Sequence, residues 1–141
     1  AAHVSARYRI GWRGQRGPDA SGGVVISTGA GSTGWRSSIF NRASGVLALT
    51  AGAPTNLGRP RLGWEDPRLM FVVREPFVSR HSRAGIIAGI VDPQDELRLE
   101  SAMPLGGVIF SDGVEADYLT FNSGAVARIR AAPQRARLVV P

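Results

Sequence analysis

Gly23-Val24-Val25-Ile26-Ser27 runs directly into Thr28-Gly29-Ala30-Gly31-Ser32-Thr33-Gly34-Trp35. The β-branched run reads as a short buried strand, and the glycines after it break the strand. Ser32 or Thr33 can then cap a short helix over residues 35–42, with Gly45 as its stop. Outward from this segment, turn formers recur every eight to twelve residues, supplied by 18 glycines and 9 prolines. Short apolar runs between them are the pattern of many short strands. Strands are expected over residues 4–10, 69–74, 84–91, 96–100, 107–111, 114–121, 125–130 and 136–140. Residues 11–22 and 51–68 read as turn- and loop-rich. Leu97 and Leu99 alternate with Glu96, Arg98 and Glu100, so apolar and charged side chains point to opposite faces. Asp112-Gly113 is a type I′ hairpin signal. The fold class that follows is mainly β: a multi-stranded, β-sandwich-like domain with one short helix after a glycine-rich loop, forming a single domain over residues 1–141.

Composition narrows the chemistry. The chain has 141 residues, 43% hydrophobic and 20% charged, enough to bury a real core. It has no cysteine, which excludes disulfides and thiolate metal sites, and its two histidines, His3 and His81, argue against a histidine-built zinc centre. All 17 basic residues are arginine, so P-loop, Schiff-base and Ser-Lys chemistry is excluded. Against 11 acids the arginines leave a net charge of +6, which suits an anionic partner and is equally the product of an arginine-rich genome. Ala1 is not methionine and the chain opens almost directly into strand-like sequence, so the expectation is a piece of a longer protein. No apolar run approaches the roughly 18 residues a membrane helix needs. The expected compartment is the cytoplasm, without membrane contact.

The glycine segment is where chemistry can be placed. Glycines let a ligand approach the backbone, and a helix start presents unpaired N–H groups with partial positive charge. Ser32 and Thr33 add hydroxyls, and Trp35 offers a face on which a purine can stack.

The wording Gly23-Val-Val-Ile-Ser-Thr-Gly-Ala-Gly-Ser-Thr-Gly-Trp35 resembles the C-terminal domain of the NAD kinases, whose buried strand runs into a Gly-Ser-Thr-Ala-Tyr loop. Gly31, Ser32 and Thr33 match; Gly34 replaces the alanine and Trp35 the tyrosine. Glu96-Leu-Arg-Leu-Glu100, Phe110-Ser-Asp-Gly113 and the final strands follow the order of that family's closing hairpins. The resemblance covers most of residues 8–140. It implies a β-rich domain that supplies much of a dinucleotide pocket, with NAD or NADP touching Thr33, Gly34 and Trp35, a further polar contact from Ser38, and Asp112 near the bound nucleotide. It also implies ATP and Mg²⁺ for the intact protein, a missing N-terminal domain, and homo-oligomers built through the β domain.

Two departures bear on the ligand. The family's aspartate before the buried strand is Gly22 here, so its carboxylate is missing unless Asp19 or Ser21 moves in. Tryptophan for tyrosine keeps stacking area but loses a hydroxyl. The family's catalytic Gly-Gly-Asp-Gly-Thr motif and its Asn-Glu pair are absent from this chain, so it is expected to bind without turning over, with no catalytic or metal-binding residue of its own. One alternative is half of a diacylglycerol-type or other small-molecule kinase. Another is a non-catalytic basic β module for polyanions; with 7% aromatic residues, not interleaved with the arginines, it has little stacking surface for nucleic acid.

The remaining candidates are plainer. Glu65-Asp66 and Asp92, Asp95 and Glu96 could hold Mg²⁺ but sit in proline-containing loops, where solvated turns are the simpler reading. Arg80-His81-Ser82-Arg83 could meet a phosphate, though an exposed loop is the simpler reading, and His81 could be a general base, though it has no partner in sequence.

Overall fold

The computed structural model describes residues 5–33, 62–75, 86–111, 114, 116–137 and 139. Within them the regular secondary structure is antiparallel β-strand apart from one short 3₁₀ turn. β1 (Ala6–Trp12), β2 (Gln15–Ser21), β6 (Leu97–Ser101) and β9 (Val126–Ile129) form one sheet in the order β2-β1-β6-β9. β3 (Gly23–Ser27), β4 (Leu69–Arg74) and β5 (Ala88–Val91) form a second, with β4 in the middle. β7 (Val108–Phe110) and β8 (Tyr118–Thr120) pair as a separate ribbon.

One apolar core is drawn from both larger sheets. Tyr8, Ile10, Leu97 and Leu99 enter it from the first, and Phe71, Val73 and Val91 from the second. The alternation read over residues 96–100 holds: Leu97, Leu99 and Ser101 are buried while Arg98 and Glu100 are half-exposed. Ser101 belongs inside because its Oγ donates to the Phe121 carbonyl at 2.7 Å and accepts from the Met103 N–H at 3.2 Å. A buried hydroxyl with both roles filled carries little desolvation penalty.

The stretch expected to be turn-rich, residues 11–22, is instead mostly strand. Trp12 pairs with Gln15, leaving Arg13-Gly14 as a two-residue turn with φ of 48° and 73°. Positive φ at both positions is the type I′ geometry that matches strand twist. A non-glycine residue is costly there, and Arg13 is held by its surroundings: its guanidinium bonds Asp92 and, at 2.9 Å, Asp95, and lies over the Trp12 ring at 4.9 Å. Those carboxylates raise the Arg13 pKa above its ordinary value, chiefly through the Asp95 hydrogen bond. Pro18 is tolerated because β2 is an edge strand.

Three other expectations are corrected. β3 is half-buried along its length because it, too, is an edge strand. The connection between β7 and β8 is longer than a two-residue turn. The Val114 N–H donates to the Ser111 carbonyl and the Asp117 N–H to the Val114 carbonyl, so pairing begins only at Phe110 with Tyr118. Near the C-terminus, Ala136, Arg137 and Val139 are not in a strand, and Val139 is fully open to solvent. No described helix is long and apolar enough to cross a membrane.

Candidate functional site

β3 delivers the glycine-rich segment. Past Ser27 the chain turns at Thr28, and residues Ala30–Thr33 form a single 3₁₀ turn. The Gly31 N–H donates to Thr28 Oγ1 at 3.2 Å, so Thr28 supplies the side-chain acceptor that opens this turn. Ser32 and Thr33, either of which was expected to cap the short helix that follows, lie inside the 3₁₀ turn. The helix expected over residues 35–42 lies outside the described residues, as do Gly34, Trp35, Ser38 and Asp112 and the Arg80–Arg83 tetrad with His81.

The glycines of this loop differ in what they are for. Gly29 is buried, and a Cβ placed on it would stand 1.9 Å from the Gly63 carbonyl oxygen. Two backbones meet there, and only glycine allows it. Gly31 is exposed, its φ is not positive, and a Cβ on it would make ordinary contacts of 3.6 Å with Thr28 Oγ1 and 3.8 Å with Ser27 Cβ. Among the described residues, neither packing nor backbone conformation demands glycine at position 31.

The segment against Gly29 is itself fastened. The Asp66 N–H donates to that same Gly63 carbonyl at 3.1 Å. Asp66 in turn accepts from the Arg68 backbone N–H, Nε and Nη2 at 3.0, 2.9 and 2.7 Å, and Arg135 Nη1 donates to the Glu65 carbonyl. Both Asp66 oxygens are therefore taken by Arg68, which removes Asp66 as a cation ligand. Three of the other acids considered for Mg²⁺ are each paired through one oxygen: Asp92 and Asp95 with Arg13, and Glu96 with Arg130 at 2.7 Å; Glu65 takes part through its backbone carbonyl alone. Among the described residues no three metal-ligating side chains gather.

The Arg68 hydrogen bonds hold the Asp66 carboxyl at about 2, below its ordinary 3.8. A depressed folded-state pKa means that stability from this pair is present above the unfolded pKa and is lost as pH falls from about 4 towards 2. Carbon-detected NMR titration of Asp66 should show this midpoint, and Arg68→Gln should return it towards the ordinary value. A wild-type midpoint near 4 would contradict the clasp. Glu96 is shifted the same way, first by its hydrogen bond from Arg130.

At the other end of β3, Ser21 does not replace the carboxylate missing at Gly22. It is buried, pairs with the Tyr8 hydroxyl at 2.8 Å and accepts the Gly23 N–H at 3.0 Å. A carboxylate stands close by, from just past the end of β4. Gly22 N–H donates to the Arg74 carbonyl at 2.8 Å, and Glu75 Oε2 lies 3.1 Å from where a Gly22 Cβ would be. Glu75 adopts a positive φ of 47° and is exposed. Sequence reasoning passed it over, because only the pairing of β3 with β4 brings it beside Gly22.

No protein-family model matches the chain, and no curated protein matches it.

Proposed function

We propose that this chain is the nucleotide-binding C-terminal domain of an NAD-kinase-like protein, whose intact form phosphorylates the 2′-hydroxyl of NAD with ATP or polyphosphate and Mg²⁺. The observation that carries the reading is Gly31. It is an exposed glycine that neither φ nor packing among the described residues requires, placed where the strand β3 opens into the Gly31-Ser32-Thr33 wording. A glycine of that kind leaves backbone open to a close-fitting ligand. Glu75 beside Gly22 supports the same reading, since it returns a carboxylate near the start of β3. The ligand would rest on Ser32, Thr33, Gly34 and Trp35, with Ser38 and Asp112 as further contacts.

Calorimetric titration with NAD, NADP and ATP, at low and moderate salt, tests this. The expected result is saturable NAD or NADP binding that a Thr33→Ala, Trp35→Ala double variant abolishes. Heat that appears with every polyanion and disappears with salt would replace the reading with a nonspecific basic module. Self-association goes with this function. Val108, Phe110, Tyr118 and Leu119 leave the β7–β8 ribbon apolar and exposed, and sedimentation should show a mass of two or more chains.

A further inference from the structure

The outer face of the β2-β1-β6-β9 sheet carries a feature that the dinucleotide reading does not use. Strand register puts Arg7, Arg9 and Gly11 of β1 on that face, with Arg16 opposite Gly11 on β2. On the other side, Glu100 and Arg98 of β6 oppose Arg9 and Gly11, and Arg128 of β9 opposes Arg98. Five arginines of these strands thus share the face with Glu100, while Glu96, just before β6, extends it and is paired with Arg130. Glu100 reaches Arg9 only at 3.8 Å and Arg98 at 3.7 Å, too long for hydrogen bonds. Arg16 has no ionic or hydrogen-bonding partner among the described residues.

A cleft of about 310 Å³ opens at this point, lined by Arg9, Arg16, Arg98 and Glu100 around Gly11. Gly11 is its floor. A Cβ there would meet nothing nearer than 3.9 Å, and Gly11 has no positive φ. A mid-strand glycine weakens a sheet and often marks close approach by a ligand. Arg98 adds a second cationic contact: its Nε is closed to solvent, but the side chain is 41% exposed and its Nη2 stands 3.7 Å from Glu100, which leaves the outer edge of the guanidinium for an oxyanion.

We infer that this cleft is a second anion site, taking the phosphate or pyrophosphate group of a small soluble molecule between Arg9, Arg16 and Arg98 over Gly11. A nucleic-acid strand fits less well. The described aromatic residues of these strands, Tyr8 and Trp12, belong to the core on the opposite face, so no base has a surface to stack on. None of the described glycine-loop residues lines the cleft, which makes this site separate from the proposed dinucleotide site.

Inorganic pyrophosphate is the probe, titrated calorimetrically at constant ionic strength. Arg16→Ala removes an exposed side chain with no partner, and is expected to weaken binding about tenfold to a hundredfold, the worth of one charge-assisted contact. Gly11→Val should fold, because a Cβ there makes only ordinary contacts at 3.9 Å, yet block the floor and abolish the response. The NAD response should survive Gly11→Val. Equal pyrophosphate binding by wild type and both variants, or none by wild type, would overturn the site. Loss of both responses in Gly11→Val would overturn its separateness. Tighter binding of a single-stranded RNA than of pyrophosphate, lost in the same variants, would overturn the small-anion assignment.

Discussion

Phe71→Ala is expected to cost about 3–5 kcal/mol of stability, the range for truncating a fully buried aromatic. Phe71 has no exposed surface and sits mid-way along β4, the central strand of its sheet. Its ring meets the edge of Trp12 from the other sheet, with centroids 5.3 Å apart and planes at 77°, a geometry worth about 0.5–1.5 kcal/mol beyond area alone. Gly89 on β5 shows how close the fit is. A Cβ there would stand 2.7 Å from both Phe71 Cε1 and Trp12 Cη2, so the two rings already occupy the space a side chain would need. Removing the Phe71 ring leaves a hole between the sheets that the backbone ladders on either side prevent from collapsing. Denaturant unfolding should show a lowered midpoint with an unchanged slope. Against a native stability of about 5–15 kcal/mol, the variant should be partly unfolded at moderate temperature. A loss below about 1 kcal/mol would mean that the sheets are not held together here.

How far this core was readable from sequence varies strand by strand. β4 was legible to the residue because its apolar run is continuous and ends in charges, as a central strand must be. β6 was legible because strict alternation has only one structural meaning. β2 was not. Its signal depends on a turn at Arg13-Gly14 that lacks the usual Asn-Gly or Asp-Gly, and the partners that hold Arg13 there are 79 and 82 residues away. The expected burial of β3 failed for a related reason, since composition cannot say which strand ends up at a sheet edge. The β7–β8 connection shows a third kind of failure. Asp112-Gly113 is a good local turn signal, but strand pairing begins only beyond it.

The candidate site divides along the same line. The position of the glycine loop after β3 was legible, because a β-branched run broken by glycines has to leave the sheet there. What each glycine does was not: Gly29 and Gly31 are alike in sequence, and only the approach of Gly63 separates them. Glu75 was likewise invisible, since its place beside Gly22 comes from the Gly23–Arg74 register. Of the acids read as possible metal ligands, Asp66, Asp92, Asp95 and Glu96 are paired with arginines, Asp66 through both of its oxygens. In a chain whose cations are all arginine, such pairing is the expected fate of a carboxylate near a turn.

That division of labour between two glycines sets up the last prediction. Gly29→Ala is expected to destabilise the fold by about 3 kcal/mol, the upper end for overpacking. Its Cβ would stand 1.9 Å from the Gly63 oxygen, 2.9 Å from the Gly63 carbon and 3.1 Å from the Leu62 oxygen. All three are backbone atoms, so no side chain can swing aside. Gly63 cannot retreat cheaply either. Its carbonyl accepts the Asp66 N–H, Asp66 is clasped by Arg68, and Arg135 holds the Glu65 carbonyl. Relief therefore requires the glycine loop to lift away from the 62–68 segment, and NAD binding should fall together with stability. Gly31→Ala separates the two effects. Its Cβ makes only ordinary contacts, so thermal stability should stay within about 0.5 kcal/mol of wild type, while NAD affinity drops because the methyl group occupies the ligand's approach. A Gly29→Ala protein as stable as wild type would show that the loop does not rest on Gly63. Unchanged NAD affinity in Gly31→Ala would remove the observation on which the dinucleotide reading stands.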